Sequence, residues 1–126
     1  MAQKPSLNEA AQQMLNVNTI TRLREIMGAT DPAFFKQVMT MFINQGYEQI
    51  IEINQAIASS DIDKIGSIAH KLKGSALNIG AEAMAETCRT MELNARVKDS
   101  EGMEVLGKRL SDEFDGTKKE IEEMIK

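Results

Sequence analysis

The sequence predicts an all-α protein: an antiparallel up-down-up-down four-helix bundle with short N-terminal helices packed on one end. Three observations lead there. Aromatic content is 4%, Trp is absent, and two Pro stand against nine Met, a composition that suits helices better than sheets. Apolar residues recur at three- and four-residue steps through four long segments, with no strand-like alternation competing. Caps and stops separate these segments by a few residues, too few to carry the chain back along a helix, so consecutive helices become antiparallel neighbours.

Taken in order, "SLNE" at Ser6 to Glu9 fits a capping box and starts a short helix running to about Leu15. Asn18 or Thr19 caps a second short helix, with Ile20, Leu23, Ile26 and Met27 on one side and Gly28 as its stop. Asp31 then serves as N-cap with Pro32 at the first helical position, where its missing N–H costs nothing. The long helix that follows reaches about Ser59 on a stripe of Phe35, Val38, Phe42, Ile50, Ile53 and Ile57, interrupted but not ended by Gly46. "SSD" at residues 59 to 61 caps the next helix, which Gly80 closes after Ile79. A further segment from Ala81 to about Lys98 buries Met84, Cys88, Met91 and Ala95. The last, from about Ser100, uses Met103, Leu106, Leu110, Phe114 and Ile121, and glycines at 102, 107 and 116 weaken it.

A chain of 126 residues suits one domain with its own core, so residues 1–126 read as a single unit behind a flexible lead at 1–6. Hydrophobic residues at 42% and charged residues at 27% exclude a disordered chain. The 19 acidic against 15 basic side chains and a pI near 5.1 leave no electrostatic footprint for nucleic acid or an anionic membrane. Cys88 stands alone, so no internal disulfide forms. Neither a signal peptide nor a membrane-spanning run is visible. The expectation is a cytoplasmic protein, monomeric by default and either freestanding or a segment of a larger chain, whose partner is a protein or small molecule.

The stretch "AHKLKGSALNIGA", residues 69 to 81, holds the one histidine of the chain. At about 100° per residue, Ile65, Ile68, Leu72, Ala76 and Ile79 form the inward stripe, and His70 lies roughly 160° from its middle. It therefore faces out, with Ser67, Lys73, Gly74 and Leu77 around it. A lone histidine is ordinarily an incidental surface residue or a satisfied core residue. Gly74 argues otherwise: one turn on and on the same face, it gives up about 1 kcal/mol of helix stability relative to alanine. A side chain there would lie beside the imidazole, so glycine leaves that flank open to something as bulky as another protein's active site. Lys71 and Lys73 disfavour imidazolium, keeping a neutral nucleophilic ring, and attract a phosphoryl group. Two lysines are equally well a solvated helix face, and Ser75 is satisfied by a carbonyl of its own helix.

These residues resemble a known family. "HKLKGSALNIGA" is similar to the signature of histidine-containing phosphotransfer (HPt) domains, roughly H-x-L-K-G-[SA]…G-A, matched by His70, Leu72, Lys73, Gly74, Ser75, Gly80 and Ala81. The likeness extends to "LNVNTITRLREIMGATDPAFFKQVMTMF" and to "MELNAR", and covers about residues 16 to 126. It implies a four-helix bundle whose histidine accepts a phosphoryl group from a receiver-domain aspartate and passes it to another. By the same resemblance His70 is the phosphorylated nucleophile, attacking through Nε2. Lys73 stabilises phosphoryl charge and Gly74 admits the partner. Lys71, Glu92, Arg96, Ser67 and Leu77 are possible supporting residues. Many relatives carry glutamine where this chain has Glu92, a carboxylate able to accept from a ring N–H but repelling a phosphoryl group.

The implied partners are receiver domains of response regulators or hybrid histidine kinases. No cofactor of its own is expected; magnesium belongs to the receiver, and the chain is a carrier without autonomous kinase activity. One rival is a Cys88/His70 thiol enzyme, opposed by helical phase, which puts Cys88 in the core stripe and His70 outside. Another is a helical adaptor, or a degenerate HPt domain, that binds a receiver without carrying phosphate. Docking is expected over His70 and the N-terminal helices, with apolar area from Leu15, Ile20 and Leu23.

Overall fold

Among the described residues five helices form, close to where the caps and the apolar periodicity put them. The protein is represented by a computed structural model that describes residues 13–29 and 31–126. They are α1 (Val17–Gly28), α2 (Pro32–Ala58), α3 (Ile62–Ile79), α4 (Glu82–Arg96) and α5 (Met103–Met124). Asp31 accepts from the Ala33 N–H at 3.0 Å with Pro32 in the first turn, and Asp61 accepts from the Lys64 N–H at 3.2 Å. Gly80 ends α3 at φ 78°, a left-handed conformation open to glycine at little cost. A side chain there would also strike Thr19, whose Cβ lies 2.8 Å from the position of an added Cβ.

Helices α2 to α5 close a bundle in which each packs on two neighbours, α5 returning to α2. The core runs through Met39, Ile53, Ile65, Leu72, Met84, Met91, Leu110 and Ile121, all at most 2% exposed. Each such side chain contributes roughly 1.5–3 kcal/mol by burial. Phe114 sits among them with its ring centroid 6.3 Å from that of Phe42. On α2 the inward stripe includes Met39, Gly46 and Ala56, while Val38 and Ile57 are half-buried at its edges.

Helix α1 lies at the end of the bundle, packed chiefly on α2 with a lesser contact to α3. Leu15 and Ile20 are 7% and 8% exposed, and the Arg24 guanidinium stands 4.9 Å from the Phe35 ring centroid. The helix expected from Ser6 falls mostly outside the described residues, but its last turn is not helical. Residues 13–16 are extended: Leu15 pairs with Ala81 as an isolated bridge, and the Asn16 N–H donates to the Gly80 carbonyl at 2.9 Å. The N–H groups of Met14 and Leu15 both donate to the Glu120 carboxylate. With those donors used, no helical turn forms. Asn16, two residues before the expected cap, accepts from the Thr19 N–H at 3.1 Å.

Two further expectations change. Gly102 lies outside α5, at its N-cap with φ 80°, so it belongs to the connection and does not weaken the helix. Leu15 and Ile20 face inward and Leu23 is half-buried, so they hold α1 to the bundle and offer little docking area. Among the described residues, no helix is long and apolar enough to cross a membrane.

Cys88 is completely buried, and burial foremost, with the nearby Glu113 and Glu92 charges, pushes its thiol up to about 12. A thiol in that state is not a nucleophile near neutrality, which removes the thiol-enzyme alternative. Labelling of the native protein with a thiol reagent should be slow, and rapid only after unfolding. A second test concerns Gly46, where an added Cβ would lie 2.5 Å from Phe114 Cε1. Gly46→Ala should lower stability, since overpacking a core costs about 1–3 kcal/mol while the helix gains at most about 1 kcal/mol. Urea unfolding measures the difference.

Candidate functional site

The seam between α3 and α4 fixes the site. The helices run antiparallel, and Gly66 lets them approach closely, since a Cβ there would meet the Ala95 Cβ at 3.0 Å. At that separation a side chain of α4 reaches across to the outer face of α3. Glu92 does so.

His70 occupies the middle of α3 with its side chain 67% exposed, and its Nδ1 lies 2.8 Å from Glu92 Oε2. The other carboxylate oxygen, Oε1, accepts from Lys73 Nζ at 2.7 Å, and Arg96 Nη2 approaches Oε2 at 3.5 Å. Glu92 itself is only 13% exposed. Its hydrogen bond from Lys73 holds the carboxyl below the usual carboxylate range, assisted by His70 and opposed by burial. An ionised carboxylate can only accept, so Nδ1 carries the proton and donates. The neutral ring then has its lone pair on Nε2, the nitrogen not engaged by Glu92.

Sequence reasoning left Glu92 without a settled role, and the structure makes it the meeting point of three expected site residues. Lys73, expected to act on the ring through free charge, spends that charge on Glu92. Lys71 points to the other flank, where it faces Glu48 and Glu52 of α2 across a cleft, and it also borders the depression beside His70. That depression, about 350 Å³, is lined by Ile62, Asp63, Gly66, Ser67, His70, Lys71, Glu92, Ala95 and Arg96. Ser67 is thus brought to the site. Leu77, 55% exposed, lies two turns from His70 on the same face of α3.

Gly74 meets nothing: an added Cβ would have no neighbouring atom within 4 Å. Glycine is therefore not required there for helix packing, and the flank of His70 is open. Asp63 and Lys98, paired across the far end of the seam, were not singled out from the sequence, nor was Gly66. Both depend on which residues of α3 and α4 stand opposite each other. Among the described residues, no group of three or more His, Cys, Asp or Glu side chains is placed to hold a metal ion.

Among the described residues, the imidazole is exposed and held through Nδ1, with Lys73 and Arg96 on the carboxylate that holds it. Known proteins resemble the chain in fold and sequence. Residues 37–125 match the Hpt domain family. Histidine-containing phosphotransfer protein 1 of Oryza sativa subsp. japonica is 32% identical over 69 residues, which is 53% of this chain and 47% of that protein. The matched stretch thus spans about half the length of the rice protein. Histidine-containing phosphotransfer protein 4 of Arabidopsis thaliana is 28% identical over 102 residues, covering 79% of this chain and 80% of the other. The crystal structure of histidine-containing phosphotransfer protein B from Pseudomonas aeruginosa superposes with a TM-score of 0.83 at 20% identity, covering 90% of this chain and 95% of that one. With the Hpt match running over most of α2 and all of α3, α4 and α5, this chain belongs to the Hpt domain family.

Proposed function

We propose that the chain is a phosphoryl carrier of a two-component phosphorelay, in which His70 takes a phosphoryl group from a receiver-domain aspartate and gives it to another receiver aspartate. One observation carries this reading: among the described residues His70 is held through Nδ1, which leaves Nε2 for the phosphoryl group on a side chain that is 67% exposed, one turn from the open position at Gly74. In the forward step Nε2 attacks phosphorus, the bond from phosphorus to the aspartyl oxygen breaks, and the carboxylate leaves with that electron pair. The Nδ1 proton need not move. Transfer to the next receiver reverses these bond changes on a different aspartate.

Phosphoryl transfer needs alignment and charge neutralisation more than covalent chemistry from the carrier. Glu92 supplies alignment by fixing the ring. Lys73 keeps Glu92 ionised, and Lys71 and Arg96, which border the depression beside His70, add positive charge near the phosphoryl position. The receiver supplies the aspartate and magnesium, so the carrier has no kinase activity of its own. Apolar docking area comes from Leu77 and from the groove between α2 and α3, where Met41 is exposed and Val38 half-buried.

His70→Gln should fold as wild type and take no acid-labile label from a phosphorylated receiver. Label persisting at the wild-type level would sink the assignment. A wild-type chain that binds the receiver but stays unlabelled would be an adaptor instead. At Gly74 stability and transfer should separate. Gly74→Ala should raise stability by up to about 1 kcal/mol, because the site is open and helical. Gly74→Gln should keep or raise the melting temperature while transfer falls, because the longer side chain crowds Nε2. Normal transfer in that variant would show that access never limits the reaction.

A further inference from the structure

Once Nε2 carries a phosphoryl group, Nδ1 is the one ring nitrogen that can still hold or lose a proton, and it is the atom that faces Glu92 Oε2 at 2.8 Å. Its protonation decides how well the ring leaves. With Nδ1 protonated, breaking the phosphorus–Nε2 bond returns the electron pair to nitrogen and releases neutral imidazole. With Nδ1 bare, the same step must expel an imidazolate anion. In the loose transition state of phosphoryl transfer the bond to the leaving group is largely broken, so the difference falls directly on the rate.

We propose that Glu92 makes His70 a readily discharged carrier: its carboxylate retains the Nδ1 proton on the phosphorylated ring and so keeps the phosphoryl group transferable at and above neutral pH. This rests on the carrier reading above and extends it from loading to release. A neutral amide at position 92 could accept the same hydrogen bond but would lack the charge that favours a cationic ring. The bond changes balance without a further reactant. Phosphorus exchanges Nε2 for an oxygen of the acceptor, aspartate or water, the ring leaves neutral, and the Nδ1 proton stays in place.

The surrounding charges set the strength of the effect. From α3, Lys73 is bonded to Glu92 Oε1, Asp63 lies two turns back along the depression and is paired with Lys98, and Lys71 sits on the opposite flank. From α4, Arg96 stands 3.5 Å from Oε2. From α2, Glu48 and Glu52 face Lys71 and not the ring. Lys73 and Arg96 therefore draw on the same carboxylate as His70, and each tempers its hold on the Nδ1 proton. Removing the carboxylate and removing a cation from it must act in opposite directions.

The test uses the whole chain and phosphoramidate as donor, which loads histidine without a receiver. Loss of phosphohistidine is followed by ³¹P NMR from about pH 5 to 10, across the reference histidine range. Wild type, Glu92→Gln and Arg96→Ala are compared. Hydrolysis slows as Nδ1 loses its proton, and in Glu92→Gln this fall should occur about one pH unit lower, so that at alkaline pH its phosphohistidine outlives that of wild type by about tenfold. In Arg96→Ala the fall should move upward, by less, since Arg96 is 68% exposed and screened. A Glu92→Gln protein that loads at His70 but keeps the wild-type profile overturns the inference and leaves the carrier reading standing. Both variants moving in the same direction also overturns it. If wild type takes no phosphate at His70, the carrier reading fails and the inference with it.

Discussion

The contact on which this surface depends is the carboxylate of Glu92, one group of a single helix that binds two side chains of the neighbouring helix and approaches a third on its own. It can do this because α3 and α4 come close at Gly66 and Ala95. A bulkier pair there would move α4 outward and take Glu92 out of reach of Nδ1. The backbone seam thus sets the length of the His70 hydrogen bond, and that bond sets which ring nitrogen is available. Packing and reactivity are here the same variable, because a helix pair offers no loop to absorb a change in separation.

Charge around His70 is less simple than a basic cluster beside a nucleophile. Lys73 donates to Glu92, so its charge and that of the carboxylate largely cancel at a distance, while close to the ring each still acts through its own contact. The partly buried position of Glu92 matters for this. Were it as exposed as Arg96, water and salt would screen the pair and the ring would be free to rotate. Held at 13% exposure, the carboxylate is near enough to solvent to stay ionised and buried enough to be directional.

Much of the fold was legible in the sequence because its determinants are local. Asp31 with Pro32, Asp61, and Gly80 mark helix ends through interactions within a few residues, and the outward phase of His70 follows from 3.6 residues per turn. What was not legible was set by other elements. Residues 13–15 close the helix expected from Ser6, yet the backbone donors of Met14, Leu15 and Asn16 go to Glu120 and Gly80, which lie at the far end of α5 and at the α3–α4 turn. Gly46 looks like a flaw in α2 until Phe114 is placed against it. The site divides in the same way: the sequence marks His70, Lys73 and Gly74 as one face of one helix, but it cannot show that residue 92 stands opposite residue 70. That pairing exists only once two helices have met.

The place of His70, the proposed nucleophile, in the middle of a helix has a consequence for how the protein would meet a partner. The backbone under His70 is already fixed by the bundle, and Glu92 has already limited the rotation of the ring. An encounter therefore has little left to order, and the entropy that a flexible recognition loop would surrender on binding is absent from the balance. Productive contact can then rest on a small, weak interface with a fast off-rate. For a surface proposed to receive a group from one protein and surrender it to another, short residence is the useful property, and a rigid helix supplies it without any moving part.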